Sequence, residues 1–530
     1  MKDENENRRE KQVKKLCSVL AVLMCVVLIL PVVSAYADDS FNLHQDGFST
    51  SYTYTYDYFE DVMESPDAYR VCATISSMSL GTTDFNKPES LFVRGDNLYI
   101  VDTGNNRILQ VLCKDHTYEL VREITQISGC ELTTLNGPTD VFVDEQENIY
   151  ICDKGNFRVV MVDKDLNWIK EFVKPTNPIF NQENDFLPKR ITVDVSGRLY
   201  ANVQNVNKGL VKYEADGTFA GFVGANAVTV DMAEYIWKRW IQSDEQRSVS
   251  EVTVPTEYEN LYMDEKGFIY VTTTTFSEYD LKWDNAKPIR RLNGLGSDIL
   301  IKNDRYPPIG DLWWIEGDTK QYGPSKCEDI TVLNKNDIYV ALDKTRGRLF
   351  GYDSQGVLLW GFGTQGNIDG AFITAISLEH MGYDLLVLDQ QKNNITVFTP
   401  TAYGMMIYDA IDQYDRGMYD ESADTWMKVL TMNANYPLAF RGIGRALLRQ
   451  GNDQHPEKYQ QAMEYFEMAH DRDSYGRAFK LYRKYWVEHN IWWIVIIIAV
   501  LLIIPVVSGR IKRMKWEVMI HEHEKVNKAG

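Results

Sequence analysis

The sequence predicts a mainly β fold: a six-bladed β-propeller, then a small α-helical segment and one transmembrane helix. Three observations predict it. A strand–turn–strand unit recurs six times with a spacing near 50 residues. The apolar period changes from strand-like to helix-like after Pro400. An uncharged apolar run, Ile491–Ser508, stands directly before a basic cluster. Length agrees, because 530 residues exceed one hydrophobic core and leave room for two or three domains.

The repeat is read first from Pro88–Asp102 and Pro138–Asp153. Each is an apolar strand, a polar turn and a second apolar strand, followed by a Gly/Asn turn into a third strand at Arg107–Val111 or Arg158–Val162. The unit returns at Ile191–Tyr213, Leu261–Thr275, Ile330–Tyr352 and Ile376–Phe398. Its second-strand markers Tyr99, Tyr150, Tyr200, Tyr270, Tyr339 and Leu386 are spaced by 51, 50, 70, 69 and 47 residues. A period near 50 with three or four short strands is the signature of propeller blades. The two long spacings place insertions at about residues 228–252 and 284–326, within a propeller spanning 69–400. The turns Asp102-Thr-Gly-Asn-Asn-Arg107 and Asp153-Lys-Gly-Asn-Phe-Arg158 resemble the NHL repeat, so the propeller is of NHL type. That resemblance implies a turn-stabilising role for Asp102, Gly104, Asn105 and Arg107, and for Asp153, Gly155, Asn156 and Arg158. Their recurrence at one position of successive blades argues against a catalytic set. Blades five and six keep Asp343 and Asp389 without the Gly-Asn pair, and blades three and four lose most of the motif.

Ahead of the first blade, Ser51–Tyr58 alternates Tyr with short polar residues, a strand pattern, inside an N-terminal extension covering 38–68. Blade six ends after its third strand near Phe398. Tyr69–Ile75 is therefore expected to supply its outer strand, joining the two ends of the ring and removing an exposed edge.

The termini predict location. A basic start ending in Lys14-Lys15, the apolar run Leu16–Val33 and the small residues Ala35 and Ala37 read as a signal peptide over 1–37. An uncleaved signal anchor is the alternative. Ile491–Ser508 opens with Trp492 and Trp493 and is followed by Arg510, Lys512, Arg513 and Lys515, which reads as a transmembrane helix over 491–508 with a cytoplasmic tail over 509–530. The expected protein is thus a single-pass protein of the cell membrane with most of its chain extracellular. Its net charge of −19 combines two basic ends with a strongly acidic part between them, which repels phosphate, so no nucleic-acid partner is expected. Of seven cysteines, Cys17 and Cys25 fall in the signal. The other five are scattered without CxxC spacing, so neither a zinc site nor a disulfide framework is expected, and they are read as small buried residues or one isolated disulfide.

Past Pro400, Ala423, Trp426, Met427 and Leu430 share a helical face, and Ala462, Tyr465, Phe466 and Ala469 repeat the pattern. Gly417 and Gly451 stand 34 residues apart. The segment 404–488 resembles about two tetratricopeptide repeats, too few to bury a core alone, and is expected to pack on the propeller or a partner.

The order of signal, degenerate NHL propeller, tetratricopeptide-like pair and membrane helix resembles a family of Gram-positive bacterial surface proteins. Its members are often encoded beside sugar-type ABC transporter components. The resemblance implies carbohydrate capture or assembly of an ABC-type transporter, with a glycan ligand and a transporter component as partners. The residues themselves hold no nucleophile elbow, P-loop or HExxH motif, and no catalytic residue, metal ligand or cofactor is assigned. A non-enzymatic binding or scaffold protein is the leading expectation. Its candidate binding residues are the insertion aromatics Trp237, Trp240, Trp313 and Trp314, which suit stacking on sugar rings or anchoring a partner. A calcium-dependent lactonase-like enzyme, with metal held in the central channel by Glu, Asn and Asp, is one alternative, and a purely structural subunit of a membrane complex is another.

Overall fold

A computed structural model describes residues 53–59, 61–224, 258–277, 280–281, 286–303, 307–312, 323–333 and 336–528. Within them the chain forms six sheets. Blade one is Ser90–Arg94, Asn97–Asp102, Arg107–Lys114 and Thr117–Ile124. Blade two is Pro138–Val143, Ile149–Asp153, Arg158–Val162 and Trp168–Phe172, and blade three is Pro188–Val193, Leu199–Val203, Leu210–Tyr213 and Phe219–Val223. Blade four comprises Leu261–Met263, Ile269–Thr272 and Ile289–Leu292. Blade five contains Cys327–Leu333, Ile338–Asp343, Arg348–Tyr352 and Leu358–Phe362, and blade six contains Ala375–Met381, Asp384–Asp389 and Asn394–Pro400. The first strand of each blade touches that of the next, and blade six touches blade one, so the ring is closed.

Each strand alternates its side chains between the two faces of its sheet, so neighbouring blades bury apolar residues against each other. Tyr99, Val101 and Val141 pack between blades one and two, and Cys152, Val159 and Ile191 between blades two and three. The N-terminal strand β3 (Tyr69–Ser76) pairs with Asn394–Pro400 in the register Ile75↔Ile395 and Thr74↔Thr396, completing blade six. Its predecessors β1 (Thr53–Tyr56) and β2 (Val62–Ser65) form a hairpin that adds to the outer edge of blade five, making a sheet of six strands. The propeller therefore starts within the stretch read from sequence as an extension. The second insertion also needs correction: its first part supplies Ile289–Leu292, the third strand of blade four, paired with Ile269–Thr272.

The turns Asp102–Arg107 and Asp153–Arg158 have a common construction. Asp102 Oδ1 accepts the N–H of Asn86 at 2.7 Å, while Oδ2 accepts from Arg107 Nε and Asn105 Nδ2, both at 2.8 Å. Asp153 repeats this with Asn136, Arg158 and Asn156 at 2.8, 3.0 and 2.8 Å. Each carboxylate ties the incoming loop, the turn and the third strand together. The left-handed backbone falls on Asn106 and Phe157 rather than on the glycines. Gly104 and Gly155 serve close approach instead, since a Cβ there would meet the carbonyl oxygens of Asn86 and Asn136 at 2.5 and 2.6 Å.

Five helices follow: α1 (Ala402–Asp415), α2 (Tyr419–Met432), α3 (Pro437–Gln450), α4 (Glu457–Met468) and α5 (Arg472–Lys528). Thr401 caps α1 by accepting the N–H of Gly404, and Pro437 opens α3 where its missing N–H costs nothing. Successive helices pack on one another, with Gly442 of α3 lying against the Trp426 ring of α2. They share one apolar core with blades five and six. At the joint Tyr69 and Tyr408 hydroxyls meet at 2.8 Å, Trp360 Nε1 donates to Tyr408 at 3.1 Å and Tyr436 donates to the Leu359 carbonyl at 2.6 Å. Helix α5 packs on α4 through its first turns, where Ser474 and Ala478 are buried. Beyond them it runs on as the one described helix long and apolar enough to cross a membrane, with a window of mean hydropathy 3.0 that is 0% buried.

Candidate functional site: the axial channel

The innermost strands carry one polar residue each at an equivalent position: Ser90, Asp140, Arg190, Asn260, Asp329 and Ser377, all buried. In blades two, three, five and six the pairing with the second strand skips a residue just before this position, as between Pro138 and Asp140 or Cys327 and Asp329. Such a bulge re-aims the side chain that follows it. The result is a belt that staples blade to blade. Asp140 accepts from Ser90 Oγ at 2.6 Å and from the Ile191 N–H of blade three at 2.8 Å. Asp329 accepts the Leu378 N–H of blade six at 2.6 Å, and Ser377 accepts the Leu91 N–H of blade one at 3.2 Å.

Arg190 is the belt's cation. Its guanidinium donates to the carbonyls of Thr139 and Glu89, both at 2.8 Å, and so spans blades three, two and one. Asp140 and Asp329 are the acids that face it. Burial pushes both carboxyls up, Asp329 to about 7, and Arg190 opposes that rise. The belt does not fit a metal. The oxygens of Asp140 are taken by the Ser90 hydroxyl and the Ile191 N–H, those of Asp329 by the Ile330 and Leu378 N–H groups, Asn260 Oδ1 accepts from Leu261 N at 2.7 Å, and the central positive charge is already a guanidinium. Among the described residues no group of three or more His, Cys, Asp and Glu converges on a possible metal position.

Next to the belt lies a cavity of about 490 Å³, within the range of small-ligand sites. Phe92, Phe142, Thr192, Tyr262 and Glu379 line it from five blades. Its mouth is formed by the turns between first and second strands, at Gly95, Gln146, Gly197, Gly267 and Gly382. The rim is acidic, but three of its carboxylates build turns: Asp144, Asp194 and Asp264 each accept two backbone N–H bonds from the residues two and four further on. Glu145 and Glu265 are exposed. Arg94 donates through Nε to the Val143 carbonyl at 2.8 Å and lies 5.8 and 5.6 Å from the centroids of Phe92 and Phe142.

Inside the wall, Thr331 Oγ1 and His380 Nδ1 are 2.7 Å apart across blades five and six. Burial lowers His380 to about 4, so its ring is neutral. Glu379 accepts the N–H of His380 through Oε2 at 3.0 Å. Its carboxyl is pushed well above the usual range by burial, with Asp329 and Asp140 adding to the effect. A carboxyl shifted upward by burial and a neutral imidazole thus stand side by side.

The residues singled out from sequence lie elsewhere. Asp102, Gly104, Asn105, Arg107, Asp153, Gly155, Asn156 and Arg158 occupy turns on the face opposite the cavity mouth. Trp237, Trp240, Trp313 and Trp314, like the signal segment, lie outside the described residues. The first insertion leaves at Gly224 and returns at Tyr258, whose hydroxyl donates to the Gly224 carbonyl, on the face of the NHL turns. Just before Trp313, Asp311 is fully buried and receives Tyr54, Tyr56, Arg346 and Arg348, pinning the second insertion to β1 and blade five. All five described cysteines are free thiols. The belt was missed because its signal emerges only from aligning the repeats: a polar residue opens the inner strand in every blade, two positions after Pro88, Pro138 or Pro188.

No family model matches the sequence, and no curated protein sequence matches it. Solved structures with a related fold include virginiamycin B lyase from Staphylococcus aureus, at 12% identity over 66% of this chain and 88% of that one, TM-score 0.36. Hydrazine synthase of Kuenenia stuttgartiensis is similar at 11% identity over 60% and 97%, TM-score 0.37. The Cps50 (Swd1) β-propeller domain of Myceliophteria thermophila is similar at 10% identity over 63% and 100%, TM-score 0.36. Likeness at this level says nothing about chemistry, which rests on the channel itself.

Proposed function

We propose that this chain is a membrane-anchored extracellular binding protein whose axial channel takes a small carbohydrate, and whose helical segment presents the loaded propeller to a membrane partner such as a sugar-type ABC transporter component. The observation that carries this reading is the cavity of about 490 Å³. It matches a sugar in size and combines ring faces (Phe92, Phe142, Tyr262) with buried hydrogen-bonding groups (Thr192, Glu379), the two elements sugar recognition uses. The shared core of blades five and six with α1–α3 supports the second half, because it fixes the propeller to the helix that leads to the membrane.

The test is thermal stabilisation of the full chain in nanodiscs across a panel of mono- and disaccharides. At least one should stabilise saturably, Thr192→Phe should abolish the effect by filling the cavity, and Trp313→Ala with Trp314→Ala should leave it intact. The opposite pattern, loss in the double variant and retention in Thr192→Phe, moves the site to the insertions. Affinity capture of the tagged chain from its native membrane should bring down a transporter component, whereas an unrelated complex would support a purely structural subunit.

The adjacent Glu379 and His380 favour a second reading, an enzyme using that pair as proton donor and acceptor. Turnover of lactones that is lost in Glu379→Gln would replace the binding reading. Turnover that requires calcium would contradict the fit of the belt to a guanidinium.

A further inference from the structure

We propose that the channel ligand carries a protonated amine and that Glu379 is its counter-ion, so that on the reading above, on which this rests, the ligand is an amino sugar. Glu379 is only 6% exposed and lines the cavity. Its Oε2 takes the His380 N–H, while Oε1 has no hydrogen-bond partner among the described residues and remains open to the cavity. Its one ion-pair neighbour is the His380 ring, 3.7 Å away, and that ring is neutral. A buried carboxyl facing a cavity without a cation is costly unless it is protonated or its partner arrives with a ligand.

The surroundings select a cation over an anion. The lining holds eight carboxyl side chains and one guanidinium, Arg94. That guanidinium is committed to the Val143 carbonyl and to two aromatic faces. Arg190, the other cation of the channel, is committed to Thr139 and Glu89. At the mouth the exposed Glu145 and Glu265 draw a cation inward. The other groups around Glu379 are Asp329 and Asp140, which raise it further, the neutral His380 ring and the Tyr262 phenol. Arg94 is the one cation that acts on Glu379, opposing the rise from a guanidinium already bonded to the Val143 carbonyl.

Binding then has a proton balance. The empty site holds Glu379 as the neutral acid, and an ammonium ligand displaces that proton to solvent and leaves a carboxylate–ammonium pair. Affinity should rise about tenfold per pH unit up to the pKa of Glu379 in the empty site and level off above it.

Isothermal titration calorimetry of the full chain in nanodiscs at pH 6, with glucosamine, glucose and butylammonium, tests this. Glucosamine should bind at least tenfold more tightly than glucose and release close to one proton per ligand, read from the difference between buffers of unlike ionisation enthalpy. Glu379→Gln, which keeps the shape, should lose the discrimination and bind glucosamine and glucose with equal affinity. Should that variant fail to fold, proton release by the unsubstituted chain still decides, and zero release overturns the proposal. Equal affinity for glucosamine and glucose overturns the amine but leaves the carbohydrate reading standing. Butylammonium binding without glucosamine binding keeps the amine and removes the sugar. Binding of none of the three overturns the proposal.

Discussion

Arg190→Met is the sharpest probe of how the ring is held together. The substitution keeps the unbranched stem but removes the charge that faces Asp140 and Asp329, and it leaves the carbonyls of Thr139 and Glu89 without their donor. Removing one partner of a buried ionic group costs about 3–5 kcal/mol, because the uncompensated charge stays behind. With an unfolding entropy of about 2 cal/mol/K per residue, a cooperative unit of roughly 400 residues would lose about 4–6 °C in Tm. The loss must depend on pH. Burial raises Asp329 to about 7, far above its unfolded value, so the folded state holds a proton that the unfolded state has given up. Stability from this group is therefore full below the unfolded carboxylate pKa and is lost as pH rises towards 7. Without Arg190 both carboxyls rise further, so the variant should be most damaged at pH 8 and less so at pH 5, where they can be neutral and the missing donor to Thr139 and Glu89 accounts for the remaining loss. Differential scanning calorimetry of the full chain in nanodiscs at both pH values reads this directly. An equal loss at pH 5 and pH 8, or no loss at either, would refute the account of Arg190 as the belt's counter-ion.

Two further substitutions test the ring elsewhere. Gly155→Ala places a Cβ 2.6 Å from the Asn136 carbonyl oxygen and should destabilise by about 1–3 kcal/mol, while Gly95→Ala, with open space around it, loses only through its left-handed backbone; equal melting shifts would discount the close approach. Ile75→Ala, at the buried C-terminal end of β3, should cost about 2–5 kcal/mol and lower the single propeller transition; an early, separate transition for blade six would show that β3 does not close the ring.

The parts of this fold that were legible in the sequence are those written by local chemistry. The alternation of apolar residues recurs from blade to blade, and the Asp-Gly-Asn-Arg turn recurs in blades one and two, so one chain segment carries its own signal. The pairing of β3 with Asn394–Pro400 was legible for a different reason, since a ring with an unpaired edge strand at one end and a spare strand at the other has one economical closure. The hairpin β1–β2 was not placed, because nothing in Thr53–Tyr56 specifies which blade it extends; that choice is made by Asp311, about 250 residues away, where Tyr54 and Tyr56 meet Arg348. The channel was hidden for a related reason. Ser90, Asp140 and Arg190 look like ordinary polar residues at strand starts, and only the six-fold arrangement turns them into a belt. Glu379 and His380 sit in an apolar strand, where a sequence reading has no means to tell a cavity wall from a solvated face.

The helix that leaves the propeller sets up a last prediction, about orientation. Helix α5 is continuous from Arg472 and is buried as far as Ala478, so Ile491 lies thirteen residues, about 20 Å at 1.5 Å per residue, beyond the packed part. With Ile491–Ser508 in a bilayer, an unbroken rod of that length would hold the propeller off its surface. The basic residues give little sense of direction along it. Arg472, Arg477, Lys480, Arg483 and Lys484 precede the apolar stretch, and Arg510, Lys512, Arg513, Lys515, Lys525 and Lys528 follow it. A bias this small is weak by the positive-inside rule. The aromatic flank is one-sided, with Tyr482, Tyr485, Trp486, Trp492 and Trp493 before the span and Trp516 after it, but aromatic belts form at both interfaces and do not choose one. On the sequence expectation that Leu16–Val33 is a signal segment, that segment would impose orientation by delivering the propeller to the outer side before the C-terminal span enters the membrane. On intact cells, added protease should remove the propeller and spare a C-terminal tag. Replacing Leu16–Val33 with a polar segment should reverse that pattern or leave the propeller inside. If the propeller still reaches the outer side without it, α5 alone orients the chain and the small excess of bases behind it is sufficient.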